Sequence, residues 1–323
     1  MAKLLRHEFG IMRIAFPLFD RWVARQIRRT ESFDMIIGYE NSNLITFQTA
    51  KQLGKVTILD LAQVHHNLID SIGTNFRING LTREQTEYIN QRKQAALDAT
   101  DYILTLSSFA TQSLTENGIC RSRIHEVNLG IDVQKFTPVE KPLGGPFRVL
   151  FVGEVCYRKG IDLVLKVFRQ LALPDAELIL IGPVSDGKDL LMQCTGAVRH
   201  LPFLHHDELV RYYQQADVFV FPSYLDSWGQ VVLEAMACGT PVIVSENTGS
   251  KDAVLKGGGF VIPAGDESAM ATKILHFYTN RSEVNRLGAV ARRVAEQYTW
   301  ENYYQQVTTA LEDIARKENI STE

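Results

Sequence analysis

Two carboxylates and several glycines lie close together within FPSYLDSWGQVVLEAMACGTPVIVSENTG, residues 221–249. Asp226 lies in a loop, and Glu234 lies about one turn inside the helix that Gly229 opens, so both side chains can face one cleft. The first N–H groups of a helix have no intrahelical acceptor and can bind a phosphate. Carboxylates accept hydrogen bonds from sugar hydroxyls. The segment therefore predicts a site for a phosphorylated sugar.

Glu234 has an alternative interpretation as a solvated charge on the surface of its helix. Its neighbours are largely apolar, however: Val231, Val232, Leu233, Ala235, Met236 and Ala237. A carboxylate in a buried helix is costly without a partner, which favours a functional role.

A basic pair precedes another helix in FVGEVCYRKGIDLVL, Phe151–Leu165. A strand is expected to end at Gly153 and a helix to start near Gly160, with Arg158 and Lys159 just before it. Two cations beside a helix N-terminus suit a diphosphate, because the helix amides and the cations both bind anions. The alternative is that two basic residues merely lie on a loop. This segment by itself leaves the two interpretations evenly balanced.

Short β-branched runs alternate with helical patterns along the chain, which is typical of parallel sheets with α/β architecture. The predicted strands are 34–40, 55–62, 102–107, 124–129, 147–153, 176–182, 197–203, 218–223, 242–246 and 259–264. The predicted helices are 44–53, 82–99, 109–117, 161–171, 207–216, 230–238, 267–279, 282–297 and 300–317.

A linker interrupts this alternation at Pro138–Pro146, which contains three prolines and two glycines. We therefore predict a first domain over 1–137, a second domain over 146–298 and a final helix within 299–323. The expected fold class is α/β, with two Rossmann-like domains facing each other across a cleft.

The motifs VGEVCYRKG and DSWGQVVLEAMACGTPVI resemble those of glycosyltransferase family 4. That resemblance implies GT-B architecture and transfer of a sugar, with retention, from a nucleotide diphosphosugar. It also implies that domain 1–137 lies on the acceptor side, that domain 146–298 binds the nucleotide sugar and that the final helix crosses back to the first domain. It covers residues 124–317 well, 34–107 moderately and 1–33 hardly at all.

The resemblance also implies a role for each matching residue. Arg158 and Lys159 would bind the donor diphosphate, Glu234 the ribose hydroxyls and Asp226 the donor hexose. The remaining donor contacts would come from Gly153, Leu201, Ser227, Gly229, Gln230 and Val231, with the base held near Leu201. The donor is expected to be a UDP- or GDP-linked hexose, without a catalytic metal or other cofactor.

A histidine after the second predicted strand would face the reacting sugar. His65 and His66 are both candidates, with His66 slightly favoured, and the alternative for either is a structural histidine. Glu154 stands where the family often has Arg, and we expect it to point away from the diphosphate. Asp226 replaces the commoner Glu, and Pro202 stands where Gly is frequent.

The N-terminal domain is expected to be reduced, because four strands precede the linker where the family has more. One βαβ unit takes about 30 residues, so about two units would be missing. Three explanations stay open: a short natural form, a start further upstream, or a partner that completes the sheet. The last motivates an alternative function, a nucleotide-sugar-binding subunit without transfer activity.

Residues 1–30 carry seven basic and two acidic residues, a net charge of +5, whereas the whole chain of 323 residues has −3. Apolar residues interleave with the basic ones. The segment could lie on an anionic membrane surface, or it could be a surface helix that packs on its own domain. The overall charge gives no sign of nucleic-acid binding.

No apolar run approaches the length of about 20 residues that a membrane-spanning helix needs. The four cysteines are Cys120, Cys156, Cys194 and Cys238; they are widely spaced, suggest neither a zinc site nor a disulfide framework, and fit a reducing cytoplasm. We expect a cytoplasmic enzyme, peripheral on the inner membrane face, that serves cell-envelope or exopolysaccharide biosynthesis with a glycan or lipid-linked acceptor.

Overall fold

A computed structural model describes residues 11–30, 32–76, 82–140, 144–192 and 196–321 and divides the chain into two compact units. Unit 1 comprises the described residues within Met1–Ser71, Asn79–Val127 and Gln305–Glu323; unit 2 comprises those within Ile72–Ile78 and Asn128–Tyr304. The predicted α/β class is confirmed, because the units hold two parallel sheets. Cys194, residues 1–10 of the basic segment and residues 141–143 of the predicted linker lie outside the described residues.

Unit 1 contains a four-stranded sheet in the order β1-β2-β3-β4. Its strands are β1 (Met35–Tyr39), β2 (Val56–Leu61), β3 (Tyr102–Thr105) and β4 (Ile124–Glu126). The helices of this part of the chain are α1 (Phe16–Ile27), α2 (Leu44–Gln52), α3 (His66–Phe76), α4 (Arg83–Asp98) and α5 (Ser108–Thr115). The core includes Phe47, Leu59, Ile103 and Leu114, which are at most 2% exposed.

Unit 2 contains a six-stranded sheet in the order β10-β9-β8-β5-β6-β7. Its strands are β5 (Phe147–Val152), β6 (Ala176–Ile181), β7 (Val198–Leu201), β8 (Val218–Phe221), β9 (Val242–Ser245) and β10 (Gly259–Ile262). Its helices, the last of which continues into unit 1, are α6 (Ile161–Leu171), α7 (Lys188–Met192), α8 (His206–Gln215), α9 (Gln230–Ala237), α10 (Lys251–Val254), α11 (Glu267–Thr279), α12 (Arg281–Ala295) and α13 (Trp300–Lys317).

The predicted strands and helices are all present, with ends that differ by a few residues. Helix α3, which begins at His66, was not predicted from the sequence. Leu68, Ile72 and Phe76 recur every four residues there, but Gly73 and the absence of a Ser, Thr, Asp or Asn N-cap weaken the helical signal.

Helix α1 and the edge strand β1 bear on the predictions for the N-terminal segment. The apolar side of α1 does not simply pack on its own domain, because Leu18, Phe19 and Trp22 are more than half exposed. In β1, Ile37 and Tyr39 are 48% and 59% exposed. A partner that completes this sheet stays a prediction. No helix among the described residues is long and apolar enough to span a bilayer.

A candidate donor site at the strand switch of unit 2

The order of the six-stranded sheet places the two predicted motifs side by side. The chain proceeds from β5 to β6 on one side, whereas β8 lies on the other side of β5. The sheet therefore switches direction between β5 and β8, and ligands of open parallel sheets bind beyond the carboxyl ends of the strands at such a point. Gly153 follows β5 and Asp226 follows β8, so both motifs start at this switch.

Backbone contacts tie the loop after β5 to the loop after β8. The carbonyl oxygen of Arg158 accepts hydrogen bonds from Tyr224 N at 2.9 Å and from Ser223 Oγ at 3.1 Å. Gly160 has a φ of 72°, and a Cβ there would overlap the carbonyl oxygen of Pro222. Only glycine allows this approach without strain. The basic pair is thus held at a fixed place beside the Asp226 loop.

Lys159 and Asp226 form an ion pair at this junction. Their side chains are only 13% and 14% exposed, and the Lys159 ammonium also lies 5.0 Å from the centroid of the Phe221 ring. The second carboxylate oxygen of Asp226 accepts a hydrogen bond from Trp228 N at 3.1 Å. Both groups are therefore orientated before any ligand binds.

Arg158 lies at the rim of the site, with its side chain 35% exposed. It donates to the carbonyl oxygen of Leu225 at 3.2 Å, and its guanidinium lies 3.7 Å from a carboxylate oxygen of Glu154. Glu154 thus lies beside Arg158, and the expectation that it points away from a bound diphosphate stays a prediction. The 3-10 turn Tyr157–Lys159 brings the two side chains together, so part of the Arg158 charge is already compensated.

Helix α9 points its N-terminus at the same junction. Its N-cap, Gly229, has a φ of 83°, and a Cβ there would come within 2.9 Å of the Thr248 methyl group. The side chain of Gln230 donates to the Gly130 carbonyl at 2.7 Å and accepts from Trp228 Nε1 at 3.0 Å. This side chain is engaged within the protein, so the backbone N–H groups at the start of α9 are the part that can bind phosphate.

Glu234 is 8% exposed and accepts a hydrogen bond of 2.7 Å from the hydroxyl of Tyr213. Tyr213 is fully buried, and burial together with the nearby carboxylate raises the pKa of its phenol well above the ordinary value. The phenol therefore stays protonated and serves Glu234 as a donor. Glu234 is no solvated surface charge, which removes the alternative interpretation.

Leu201 and Ser227 complete the predicted donor set in unit 2. Leu201 ends β7, and its carbonyl oxygen accepts the amide of Gly182 at 2.9 Å. Ser227 is half-buried in the loop beside Asp226, and Val231 is half-buried in the first turn of α9. The structure thus brings the residues around β5, β8 and α9 together, with Leu201 on the next but one strand.

The candidate histidines lie in unit 1, in a pocket beyond the carboxyl ends of β1 and β2. It is lined by polar residues that include Glu40, Asn43, His65, His66 and Lys93. Lys93 pairs with Glu40 at 2.8 Å. Asn43 is 2% exposed and His66 7% exposed, yet the Asn43 amide atoms and His66 Nδ1 have no hydrogen-bond partner among the residues that the structure describes. Such buried groups need partners, which makes this pocket a second candidate site.

The two histidines differ in their surroundings. Their rings stack with centroids 4.1 Å apart, and burial, together with His66 and Lys93, lowers the pKa of His65 to about 4. His65 Nδ1 already accepts the Asn67 amide at 3.2 Å. Burial and Lys93 also lower the pKa of His66. His65 is thus engaged by its own chain, whereas His66 keeps a nitrogen available to a ligand.

Sequence reasoning did not identify Tyr213 or Asn43. No motif marks either residue, because their importance comes from contacts across the fold. Among the described residues, no group of three or more His, Cys, Asp or Glu side chains could hold a metal ion. Cys120, Cys156 and Cys238 form no disulfide bonds with one another.

Two curated glycosyltransferases are similar in sequence to about half of this chain. The D-inositol 3-phosphate glycosyltransferase of Arthrobacter sp. (strain FB24) is 32% identical over 192 residues, 53% of this chain and 46% of that protein. The sulfoquinovosyl transferase of Arabidopsis thaliana is 31% identical over 193 residues, 54% of this chain and 36% of that protein. The chain spans about half the length of the curated relatives that it matches.

Solved structures share the fold at lower identity. Sucrose-phosphate synthase from Thermosynechococcus elongatus superposes with a TM-score of 0.74 at 21% identity, covering 94% of this chain and 80% of that one. Anabaena HepE in complex with UDP has a TM-score of 0.72 at 17% identity, covering 91% and 82%. The family described as "Glycosyl transferases group 1" matches residues 132–294, about half of the chain and the whole junction described above. The chain therefore belongs to the group 1 glycosyl transferases.

Proposed function

We propose that this protein transfers a hexose from a UDP- or GDP-linked diphosphosugar to a glycan or lipid-linked acceptor, with retention of configuration. One observation carries the proposal. The Lys159–Asp226 ion pair joins the loops after β5 and β8 at the strand switch of unit 2, and α9, which carries the buried carboxylate of Glu234, begins four residues after Asp226. Cations and amides suit a diphosphate, and carboxylates suit hydroxyls.

In the proposed mechanism, the amides that open α9 and the ammonium of Lys159 bind the diphosphate. Glu234 accepts the ribose hydroxyls, and Asp226 accepts hydroxyls of the hexose. The bond between C1 of the hexose and the departing phosphate oxygen breaks, and negative charge grows on that oxygen. The acceptor hydroxyl attacks C1 from the same face and gives its proton to the departing oxygen. Lys159 is orientated in advance by Asp226, so it stabilises this charge without reorganisation. Arg158 would add to this stabilisation from the rim of the site, where its guanidinium lies 3.7 Å from Glu154.

Unit 1 would supply the acceptor side. The unpaired amide of Asn43 can donate and accept a hydrogen bond, and His66 Nδ1 offers a further position. These groups suit hydroxyls of a sugar or polyol. We assign His66 rather than His65 to the reacting sugar, because His65 Nδ1 is already bonded to the Asn67 amide.

The nucleotide and the setting follow as part of the same proposal. UDP is the first nucleotide to test, since a protein of the same fold is solved with UDP. A calorimetric screen of UDP, GDP and ADP with their sugars would identify the donor. A lipid-linked acceptor would place the protein at the cytoplasmic face of a membrane, within cell-envelope or exopolysaccharide assembly.

The decisive experiment compares Lys159→Ala and Glu234→Ala with the wild type in a donor-transfer assay. Loss of one group that stabilises the developing charge lowers the rate about 100- to 1000-fold. Lys166→Ala is the matched control, because Lys166 pairs with Glu267 on the exposed side of α6 and should keep full activity. Wild-type turnover by both Lys159→Ala and Glu234→Ala would refute the assignment.

A nucleotide-sugar-binding subunit without transfer activity is the competing function. The exposed edge strand β1 favours it, since a further chain could pair there. Donor binding by calorimetry without hydrolysis or transfer would support this second function.

In the transferase, activity should also persist in excess EDTA, and loss of activity would contradict metal independence.

A further inference from the structure

The outward face of helix α1 carries an apolar surface that the other described residues of unit 1 leave uncovered. Leu18, Phe19 and Trp22 are 58%, 53% and 56% exposed. The Phe19 and Trp22 rings stack with centroids 6.0 Å apart. At about 100° per residue, these three side chains lie opposite the buried residues of the helix, Pro17, Asp20, Ala24 and Ile27. We call the exposed side the outer face of α1.

Asp20 fixes the orientation of this helix. Its fully buried carboxylate accepts hydrogen bonds of 2.8 Å from Ile45 N, Thr46 N and Thr46 Oγ1 at the start of α2. Arg92 lies 3.8 Å from the same carboxylate. Since a buried carboxylate would be costly without these partners, α1 cannot roll to hide its outer face without losing them.

The charges around the outer face are of one sign. Arg21 and Arg25 flank Leu18 and Trp22 along the helix, and Arg28 and Arg29 follow its end; all four are exposed. Within described residues 11–30 the single acidic residue is Asp20, which is buried. Aromatic and leucine side chains bordered by arginines are the composition of helices that lie in a bilayer interface.

We propose that the outer face of α1 docks the protein on an anionic lipid bilayer. Leu18, Phe19 and Trp22 enter the boundary between headgroups and acyl chains, and the arginines bind lipid phosphates. A second copy of this chain is the less favoured occupant, because a symmetric contact would bring two rows of arginines together. The surface goes beyond the transfer reaction and needs neither donor nor acceptor.

The test is flotation of the full chain with phosphatidylcholine vesicles, with and without about one third phosphatidylglycerol. We expect binding only to the anionic vesicles. Each arginine near such a surface contributes about fivefold in affinity, so Arg21→Gln with Arg25→Gln should weaken binding about 25-fold. Phe19→Ala with Trp22→Ala should abolish it. Leu255→Ala, which removes a 70% exposed side chain of unit 2, is the matched control.

Three results would overturn the proposal: no binding to anionic vesicles, equal binding to neutral ones, or unchanged binding by both double variants. A dimer that the Phe19→Ala, Trp22→Ala variant abolishes, without vesicle binding, would show that the face joins two copies instead. Circular dichroism confirms that each variant folds. Because the assay contains no sugar nucleotide, its failure leaves the proposed transfer reaction untouched.

Discussion

At the scale of single residues, the setting of Glu234 shows how a carboxyl group is held inside a largely apolar helix. The hydroxyl of Tyr213 donates to it at 2.7 Å, and that phenol is itself fully buried. A hydrogen bond to a charged group contributes more than one between neutral groups. Tyr213 is therefore a positioning residue: it affects binding of the sugar nucleotide through the orientation of Glu234.

We predict that Tyr213→Phe raises the KM for the sugar nucleotide about tenfold while kcat changes little, because Glu234 loses the hydroxyl hydrogen bond that orientates it. Steady-state kinetics at several donor concentrations measures both constants. Tyr212→Phe is the matched control, since the hydroxyl of this neighbour lies near Arg199 instead. An unchanged KM in Tyr213→Phe would show that Glu234 needs no such support.

At the scale of elements, the donor site depends on two loops that touch through backbone atoms. The loop after β5 approaches Pro222 at Gly160, and the N-terminus of α9 approaches Thr248 at Gly229. Both glycines adopt left-handed φ angles, which cost other residues about 1–2 kcal/mol. These contacts set the distance between the basic pair and the Asp226 loop.

We predict that Gly160→Ala reduces kcat/KM more than tenfold, because its methyl group would overlap the Pro222 carbonyl and displace Arg158 and Lys159. Gly118→Ala is the control that separates the overlap with Pro222 from the backbone strain of a left-handed φ. Gly118 has a similar φ of 86°, but its Cβ would meet nothing within 4 Å. Both variants should lose about 1–2 kcal/mol of unfolding free energy to backbone strain. Equal activity in both would show that the Gly160 contact is dispensable.

At the scale of the whole molecule, the buried polar pocket of unit 1 links stability to pH. The folded chain keeps His65 neutral down to about pH 4, whereas in the unfolded chain the ordinary pKa is 6.5. Between these values the unfolded state binds more protons than the folded state. The contribution of His65 to stability is therefore complete above pH 6.5 and is lost as the pH falls towards 4.

We predict that the free energy of unfolding, measured by urea denaturation, decreases between pH 6.5 and pH 4 and that His65→Gln reduces this slope. His66 contributes in the same direction, because burial and Lys93 lower its pKa too. A stability that is flat over this interval, or a slope that His65→Gln leaves unchanged, would contradict the expectation.

The amino-acid sequence by itself predicted the strands and most of the helices along the chain, the loops that carry Arg158, Lys159 and Asp226, and the helix that carries Glu234. Those features are local, because hydrophobic periodicity and turn residues act over a few positions and the spacing within a motif can be seen in one sequence. The tertiary structure alone decided which loops meet. The switch between β5 and β8, the Tyr213–Glu234 bond and the unpaired Asn43 in its pocket join residues distant in sequence.

The basic segment, residues 1–30, also shows the difference between what the sequence predicts and what the tertiary structure decides. Its composition predicts an amphipathic helix, but not which apolar residues face outward. That was decided by Asp20, whose buried bonds to α2 turn Leu18, Phe19 and Trp22 away from unit 1. A helix with apolar residues on two sides has two ways to pack, and only the partner across the interface selects between them.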